Sequence, residues 1–429
     1  MISIDPHLAA RAGAIYLTVV PTLVLWVWRR PSSRARAGIL LALVWNACVL
    51  LAIHLCATRL GWWRFDASGG LLLGMPVDVY LAWTLLWGAI APLAFGSLPF
   101  AWVVIVAGAL DIVLMPVAEP VVQLGPRWLV GEAVALAIAL VPSQLLYRWT
   151  ARDEHLVGRA ALQVLAFSGV MLFVLPAVAI EGSSTAWANP FARPLWQISL
   201  IVQALAVPAI IGLSAVQEFV ERGSGTPVPF DAPRRLVTTG LYAYVRNPMQ
   251  LSAVLLLLAL GLVLRNIWVA SAGVIAHFYS VGLAAWDEDD DLARRFGGQW
   301  TLYRAGVRAW LPRWRPRFPG AADPARLYVA ASCDMCSQVG RWFAGRRATN
   351  LTILPAEQHP TRTLMRITYE HADGTIAAGV TAIARALEHI HFGWAWVGAV
   401  LRLPVIAQAV QLIADASGAE PRPVWRNVG

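Results

Sequence analysis

Lysine is missing from this chain. All 34 basic side chains among the 429 residues are arginine, a bias we ascribe to genome composition and not to function. Charge of either sign is scarce, at 14% of residues against 58% hydrophobic. No soluble domain needs that much apolar surface along most of its length, so a wholly soluble protein is excluded. No basic stripe is interleaved with exposed aromatics, so the net charge of +9 does not point to a nucleic-acid partner. Cysteines number only four, and Cys333 and Cys336 have neither a second pair nor histidines at ligand spacing, so no metal is expected. No basic segment precedes the first apolar run; Arg29 and Arg30 follow it, and a cleaved signal peptide is not expected. No short-period repeat is visible.

Long apolar runs dominate what is there. They bracket at 12–28, 37–57, 76–95, 98–118, 128–147, 159–180, 195–217, 249–264 and 267–285. A bilayer crossing takes about 20 such residues, so the expected fold class is a polytopic α-helical membrane protein with about nine transmembrane helices. Arginines crowd alternate connections. Arg29, Arg30, Arg34 and Arg36 lie in the first, Arg148, Arg152 and Arg159 in the fifth, and Arg222, Arg234, Arg235 and Arg246 in the seventh. The positive-inside rule puts these in the cytoplasm, with the N-terminus outside and the C-terminus inside a cell (cytoplasmic) membrane. The positive charge then reads as contact with anionic membrane lipids. Three regions are expected: a six-helix front over 1–190, a core over 191–318, and a mixed α/β region over 325–429. An Arg- and Pro-rich linker at 313–324 precedes the last.

A polar, turn-rich stretch sits between the seventh and eighth runs. It reads Gly223-Ser-Gly-Thr226-Pro-Val-Pro-Phe-Asp231, then Leu236-Val-Thr-Thr-Gly-Leu-Tyr-Ala-Tyr-Val-Arg-Asn-Pro248-Met249. After the last run come Trp286-Asp-Glu288-Asp289-Asp-Asp-Leu292, Arg294-Arg-Phe-Gly297, Tyr303 and Trp310-Leu-Pro312. Over about 215–313, these motifs in this order resemble the isoprenylcysteine carboxyl methyltransferase family of integral membrane enzymes. The resemblance implies S-adenosylmethionine as cofactor and a lipophilic small molecule or lipid as acceptor. It also implies that Glu288, Asp289, Arg246, Asn247 and Pro248 help hold the cofactor. The chain departs from the family pattern at Asp289, where Glu is usual, and at Gln250 and Trp300, where Tyr is usual.

The residues suit that chemistry in their own right. Tyr242 and Tyr244 offer ring faces and hydroxyls for a sulfonium cation. Asn247-Pro248 breaks the chain before a helix and frees backbone groups. Arg246 and Glu288 are the candidate catalytic groups. Arg246 or Arg308 would neutralise an acceptor carboxylate, whereas an amine or hydroxyl acceptor would need proton removal, for which Glu288 is placed. The alternative is that these residues only anchor a helical hairpin at the interface.

The other chemical signal is Cys333-Asp-Met-Cys336. Leu327-Tyr-Val-Ala-Ala reads as a strand, 337–347 as a helix and Asn350-Leu-Thr-Ile-Leu-Pro355 as the next strand. A Cys-x-x-Cys before a helix places the first thiol where the helix dipole favours its thiolate. With Arg366-Ile-Thr-Tyr, Asp373-Gly374, Gly379, Ala382 and Leu403-Pro404, the stretch 325–415 resembles the DCC family of thiol–disulfide oxidoreductase-like proteins. That resemblance implies a thioredoxin-like fold, catalytic Cys333 and Cys336, and a thiol redox partner, so a membrane-anchored oxidoreductase is the alternative function. Cys48 and Cys56 share one helix face and read as packing residues. In the front region His54, Asp78, Asp111 and Glu132 fall at or within apolar runs. Gly61-Trp-Trp63-Arg-Phe65 with Gly74-Met-Pro76-Val-Asp78 distantly resembles membrane lycopene cyclase halves, which implies a second alternative, acid-catalysed isoprenoid chemistry.

Overall fold

The computed structural model describes residues 5–119, 121–182, 193–320 and 323–424. The expected boundary at residue 190 and Ala321–Ala322 of the linker lie outside the described residues. Among the described residues, seven helices are long and apolar enough to cross a bilayer. They are Pro6–Arg29 (α1), Ser33–Leu60 (α2), Val77–Phe95 (α3), Phe100–Val117 (α4), Trp128–Arg152 (α5), Leu156–Glu181 (α6) and Leu195–Gly223 (α7). Pro248–Leu264 (α8) and Ile267–Gly282 (α9) are apolar but shorter. Of the about nine helices expected, the eighth a short one, the described residues thus hold seven long helices and a shorter apolar pair. Arg265 turns the chain at a positive φ of 52°. Asn266 then caps α9, its Oδ1 accepting from Trp268 N at 3.0 Å and Val269 N at 3.1 Å.

Three long helices carry a widened turn in their interior, at Leu86–Ile90, Leu136–Leu140 and Val170–Val174, and α7 ends in one at Phe219–Gly223. Pro92, Pro142 and Pro176 follow, each two residues on. Proline has no N–H to donate, and its ring clashes with the carbonyl four residues back. Those carbonyls belong to Gly88, Ile138 and Leu172, inside the widened turns. Widening re-routes the bonds, so these prolines do not end the helices.

Two compact units result. The first comprises Met1–Pro190, Thr226–Ala232 and Leu260–Ala270. Its core gathers Leu50, Leu51, Trp63, Met75, Trp87 and Leu140. Strand Trp63–Phe65 (β1) is antiparallel to Val122–Leu124 (β4), and Leu71–Leu72 (β2) to Met75–Pro76 (β3). Small residues bring helices close, as they do in membranes. A Cβ added at Gly38 of α2 would lie 2.8 Å from the Tyr147 carbonyl oxygen of α5. The buried Arg159 holds Asp153 at 3.0 Å and Asp231 at 2.7 Å, tying in the short Thr226–Ala232 segment.

The second unit comprises Phe191–Gly225, Pro233–Ala259 and Ser271–Gly429. After α9 come Ala285–Phe296 (α10) and Gly298–Gly306 (α11). Strands Ala325–Val329 (β5), Leu351–Pro355 (β6), Thr368–Glu370 (β7) and Ile376–Ala378 (β8) then form a sheet in the order β6-β5-β7-β8. β5 and β6 are parallel, joined by helix Asp334–Ala344 (α12), while β7 and β8 are antiparallel additions followed by Val380–Leu387 (α13). Leu327, Phe343, Tyr369 and Ala386 fill the core beneath. Phe392–Arg402 (α14) packs Ala395 and Ala399 near Ile211 of α7, and Pro404–Ala414 (α15) follows. The Arg-rich linker is strapped down: Arg313 N donates to Tyr244 O at 3.0 Å and Arg317 N to Ala243 O at 2.9 Å.

A buried ion cluster closes this unit. Glu218 of α7 has 1% of its side chain exposed and meets Arg385 at 2.5 Å and Arg402 at 2.7 Å. Arg402 also reaches Glu388 at 2.6 Å, and Glu221 touches both arginines at 2.7 and 3.1 Å. Replacing Arg402 by Met should leave buried carboxylates under-neutralised and cost about 3–5 kcal/mol. The measurement is the denaturation midpoint in detergent; a loss under about 1 kcal/mol, as for an exposed pair, would show that water reaches the cluster.

Candidate functional site

The loop from Thr238 to Pro248 is positioned from two sides. Gly240 has φ of +61°, and an added Cβ would lie 3.1 Å from the Glu218 carboxyl carbon. Only glycine lets the backbone lie on that carboxylate in this conformation. The Thr239 hydroxyl donates to Glu218 as well. On the other side Arg246 N donates to Arg308 O at 2.9 Å and Asn247 N to Ala309 O at 3.2 Å. Pro248 opens α8, a position where its missing N–H costs nothing, and Asn247 O accepts from Leu251 N at 2.9 Å.

The expected site residues separate into two groups. Tyr242, Arg246, Glu288 and Asp289 come together. The Arg246 guanidinium lies 5.5 Å from the Trp300 ring centre, and Asp289, which acts on its charge, pairs with Arg304 at 3.1 Å. Gln250 Nε2 donates a long bond of 3.4 Å to Glu288. Tyr303 donates its hydroxyl to Tyr242 O at 2.9 Å. Tyr244, Asn247 and Pro248 shape the loop instead. The Tyr244 hydroxyl donates to Glu388 O at 2.8 Å and its ring meets Phe392 edge-on at 5.7 Å.

Four polar atoms here are buried without a protein partner: Tyr242 Oη, Arg246 Nη1, Gln250 Oε1 and Trp300 Nε1. Buried polar groups are nearly always paired, and each orphan costs about 1–3 kcal/mol. Burial, then Tyr303, Glu218 and Glu288, holds the Tyr242 hydroxyl well above the usual phenol range, so it stays a neutral donor. Burial lowers Arg246 and Asp289 opposes that; a guanidinium remains cationic throughout. The arrangement offers donors, an amide acceptor, one cation and two carboxylates to a ligand bearing both charges. Gln250 and Trp300 are positions that sequence reasoning marked only as departures. A cavity of about 350 Å³ adjoins the same loop, lined by Thr238, Thr239, Gln299, His371, Asp373 and His389 among others.

Cys333 caps the start of α12, its Sγ accepting from Cys336 N at 3.4 Å. Hydrogen bonds from the Cys336 thiol and backbone pull Cys333 below its usual range, while burial pushes Cys336 up to about 12. Glu357 accepts from Ala331 N at 3.2 Å and Ser332 N at 3.0 Å, just ahead of the pair. Among the described residues no group of three or more His, Cys, Asp or Glu is placed to hold a metal ion. In the first unit Asp78 pairs with Arg11 at 2.6 Å, and His54 Nε2 contacts Leu73 O at 3.1 Å. Asp111 and Glu132 are both buried, and Cys48 donates to Ala166 O at 3.4 Å.

Residues 196–299 match the phospholipid methyltransferase family. That stretch runs from α7 into α11 and holds Tyr242, Arg246, Gln250, Glu288 and Asp289; Trp300 is the next residue after it. No curated protein and no solved structure matches the chain. The match supports a membrane methyltransferase acting on a lipophilic substrate.

The thiols give a direct check on local geometry. Iodoacetamide at pH 7.5 should alkylate Cys333 at least about tenfold faster than Cys336, because the thiolate is the reactive form. Mass spectrometry of the reduced protein reads the order; equal rates would mean that the helix start does not bias the pair.

Proposed function

We propose that the chain is a membrane methyltransferase that uses S-adenosylmethionine and transfers to a lipophilic acceptor. The observation that carries this is the set of four orphaned buried atoms on Tyr242, Arg246, Gln250 and Trp300 beside Glu288 and Asp289. When bound, the cofactor supplies an electrophilic methyl group on a sulfonium. Glu288 and Asp289 suit its cationic groups and Arg246 suits its carboxylate. Tyr242, Gln250 and Trp300 would complete its hydrogen bonds. The protein's task is mainly to hold the reactants in line and exclude water, since a sulfonium is already a good leaving group. Glu288 is available to take a proton where the acceptor is an amine or hydroxyl, and Arg246 to neutralise one that is a carboxylate.

The C-terminal region is best read as thioredoxin-like with a working dithiol. Support comes from the strand order β6-β5-β7-β8, with Cys333 at the end of the β5–α12 turn. The Cys333 thiolate would attack a partner disulfide, and Cys336 would resolve the mixed disulfide, leaving the partner reduced and the pair oxidised. We place the whole second unit's polar face in the cytoplasm of a cell membrane, from the arginine bias of the odd connections.

Two measurements test these readings. Isothermal titration with S-adenosylhomocysteine should show binding to the detergent-purified protein. Arg246→Ala and Glu288→Gln should each weaken it by about tenfold or more, some 1.4 kcal/mol; absent binding, or binding unchanged in both variants, would sink the cofactor reading. For orientation, a Cys48→Ser, Cys56→Ser protein should escape an impermeant maleimide in intact cells and react at Cys333 after lysis. Labelling before lysis would reverse the topology.

A further inference from the structure

The last described helices carry their polarity the wrong way round for water. In α15, Gln411 turns inward: its Oε1 accepts from Val380 N at 2.8 Å and its Nε2 donates to Asp415 at 2.7 Å. Asp415, one turn on, is held by Arg366 at 2.8 Å. The outward face carries Gln408 but is otherwise apolar. Val405, Leu412 and Ile413 are 79%, 71% and 65% exposed. A helix at a protein–water surface shows the opposite pattern, apolar side inward and polar side outward.

The preceding helix says what covers that face. α14 runs beside α7 in the same direction. Its Trp396 Nε1 donates to Val207 O at 3.3 Å, Ala395 and Ala399 pack near Ile211, and Arg402 reaches Glu218 and Glu221 at 2.7 and 3.1 Å. α7 is a bilayer-crossing helix with Leu200 and Val202 more than half exposed. At Leu403 the chain bends by 88°. A helix that leaves at a right angle from one lying along α7 must run in the membrane plane. Its level is set by α8: Ser252 Oγ donates to Pro208 O at 2.6 Å, so the first turn of this apolar helix is level with the middle of α7. The hydrocarbon edge then falls a turn or two further on, and Glu218–Glu221 stand at the headgroups.

We infer that α15 is an interfacial helix whose Val405–Leu412–Ile413 face lies in the headgroup–acyl boundary of the bilayer that α7 crosses. An in-plane helix with one apolar face is the form that sits in that boundary. The C-terminal α/β region is thereby held on the membrane at both ends, by the ion cluster and by lipid, and its thiols stay at the membrane surface.

The experiment uses the full chain with its four cysteines replaced by serine, reconstituted in phosphatidylcholine vesicles. An environment-sensitive dye is attached at Leu412→Cys, and separately at Val405→Cys, positions exposed enough to leave folding intact. Leu200→Cys on α7 gives the lipid reference and Arg341→Cys on α12 the aqueous one. With doxyl-labelled phosphatidylcholine, dyes at 405 and 412 should be quenched at least half as strongly as at 200. Quenching no greater than at 341 would overturn the inference. So would a blue-shifted dye without lipid quenching, since a protein surface would then cover the face.

Discussion

Glu218 is the charge around which the second unit is organised. A carboxylate with 1% of its side chain exposed loses several kcal/mol of hydration unless cations and donors replace the water. The replacements come from three places in the sequence: the Thr239 hydroxyl of the motif loop, and Arg385 and Arg402 of two helices beyond the sheet. One buried charge therefore fixes the end of α7, the loop that carries Tyr242 and Arg246, and the C-terminal helices. Gly240 completes the constraint, because any larger residue would push the loop off the carboxylate. This is also why the C-terminal region and the methyltransferase-like helices belong to one compact unit despite their unlike composition.

The bilayer imposes the other constraint. Apolar side chains face outward along α1, α4 and α7, where Leu17, Trp102 and Leu200 are more than half exposed, because lipid and not water is the solvent. Backbone polar groups must then be satisfied within each helix. That requirement explains the widened turns before Pro92, Pro142 and Pro176: the helix keeps bonding through a wider ring where proline removes a donor.

The seven long helices were legible in the sequence almost to their ends, because a run of apolar residues leaves a chain in lipid no alternative to helix. The last two runs were legible as an apolar hairpin turning at Arg265–Asn266, the eighth run a short one; the one positive φ and the side-chain cap that make the turn were not, since composition does not reveal them. The strand–helix–strand about Cys333 was readable from alternation and from the helix pattern of 337–347. The site was half legible. Arg246, Glu288 and Asp289 stood out as charges at the ends of apolar runs, and the structure gathers them. Tyr244 looked equivalent to Tyr242, two residues away, yet a tight turn at Gly240–Ala243 sends one ring toward Phe219 and the other toward Phe392. The ion cluster was not legible at all. Glu218 and Arg402 are 184 residues apart, and nothing local marks either as the other's partner.

The departures from the family pattern gain meaning from the same geometry. Gln250 and Trp300 occupy positions where the resemblance expects phenols, and both end in buried atoms without a partner. A tyrosine hydroxyl both donates and accepts. Gln250 divides these roles: its amide nitrogen is spent on Glu288, and only its oxygen faces the gap. Trp300 can only donate, and it also supplies the ring against which Arg246 lies. A ligand that satisfies this site must therefore offer a donor toward Gln250 and acceptors toward Tyr242, Trp300 and Arg246. An apolar molecule alone cannot meet that requirement. The orphaned atoms consequently call for a ligand that carries its own donors and acceptors.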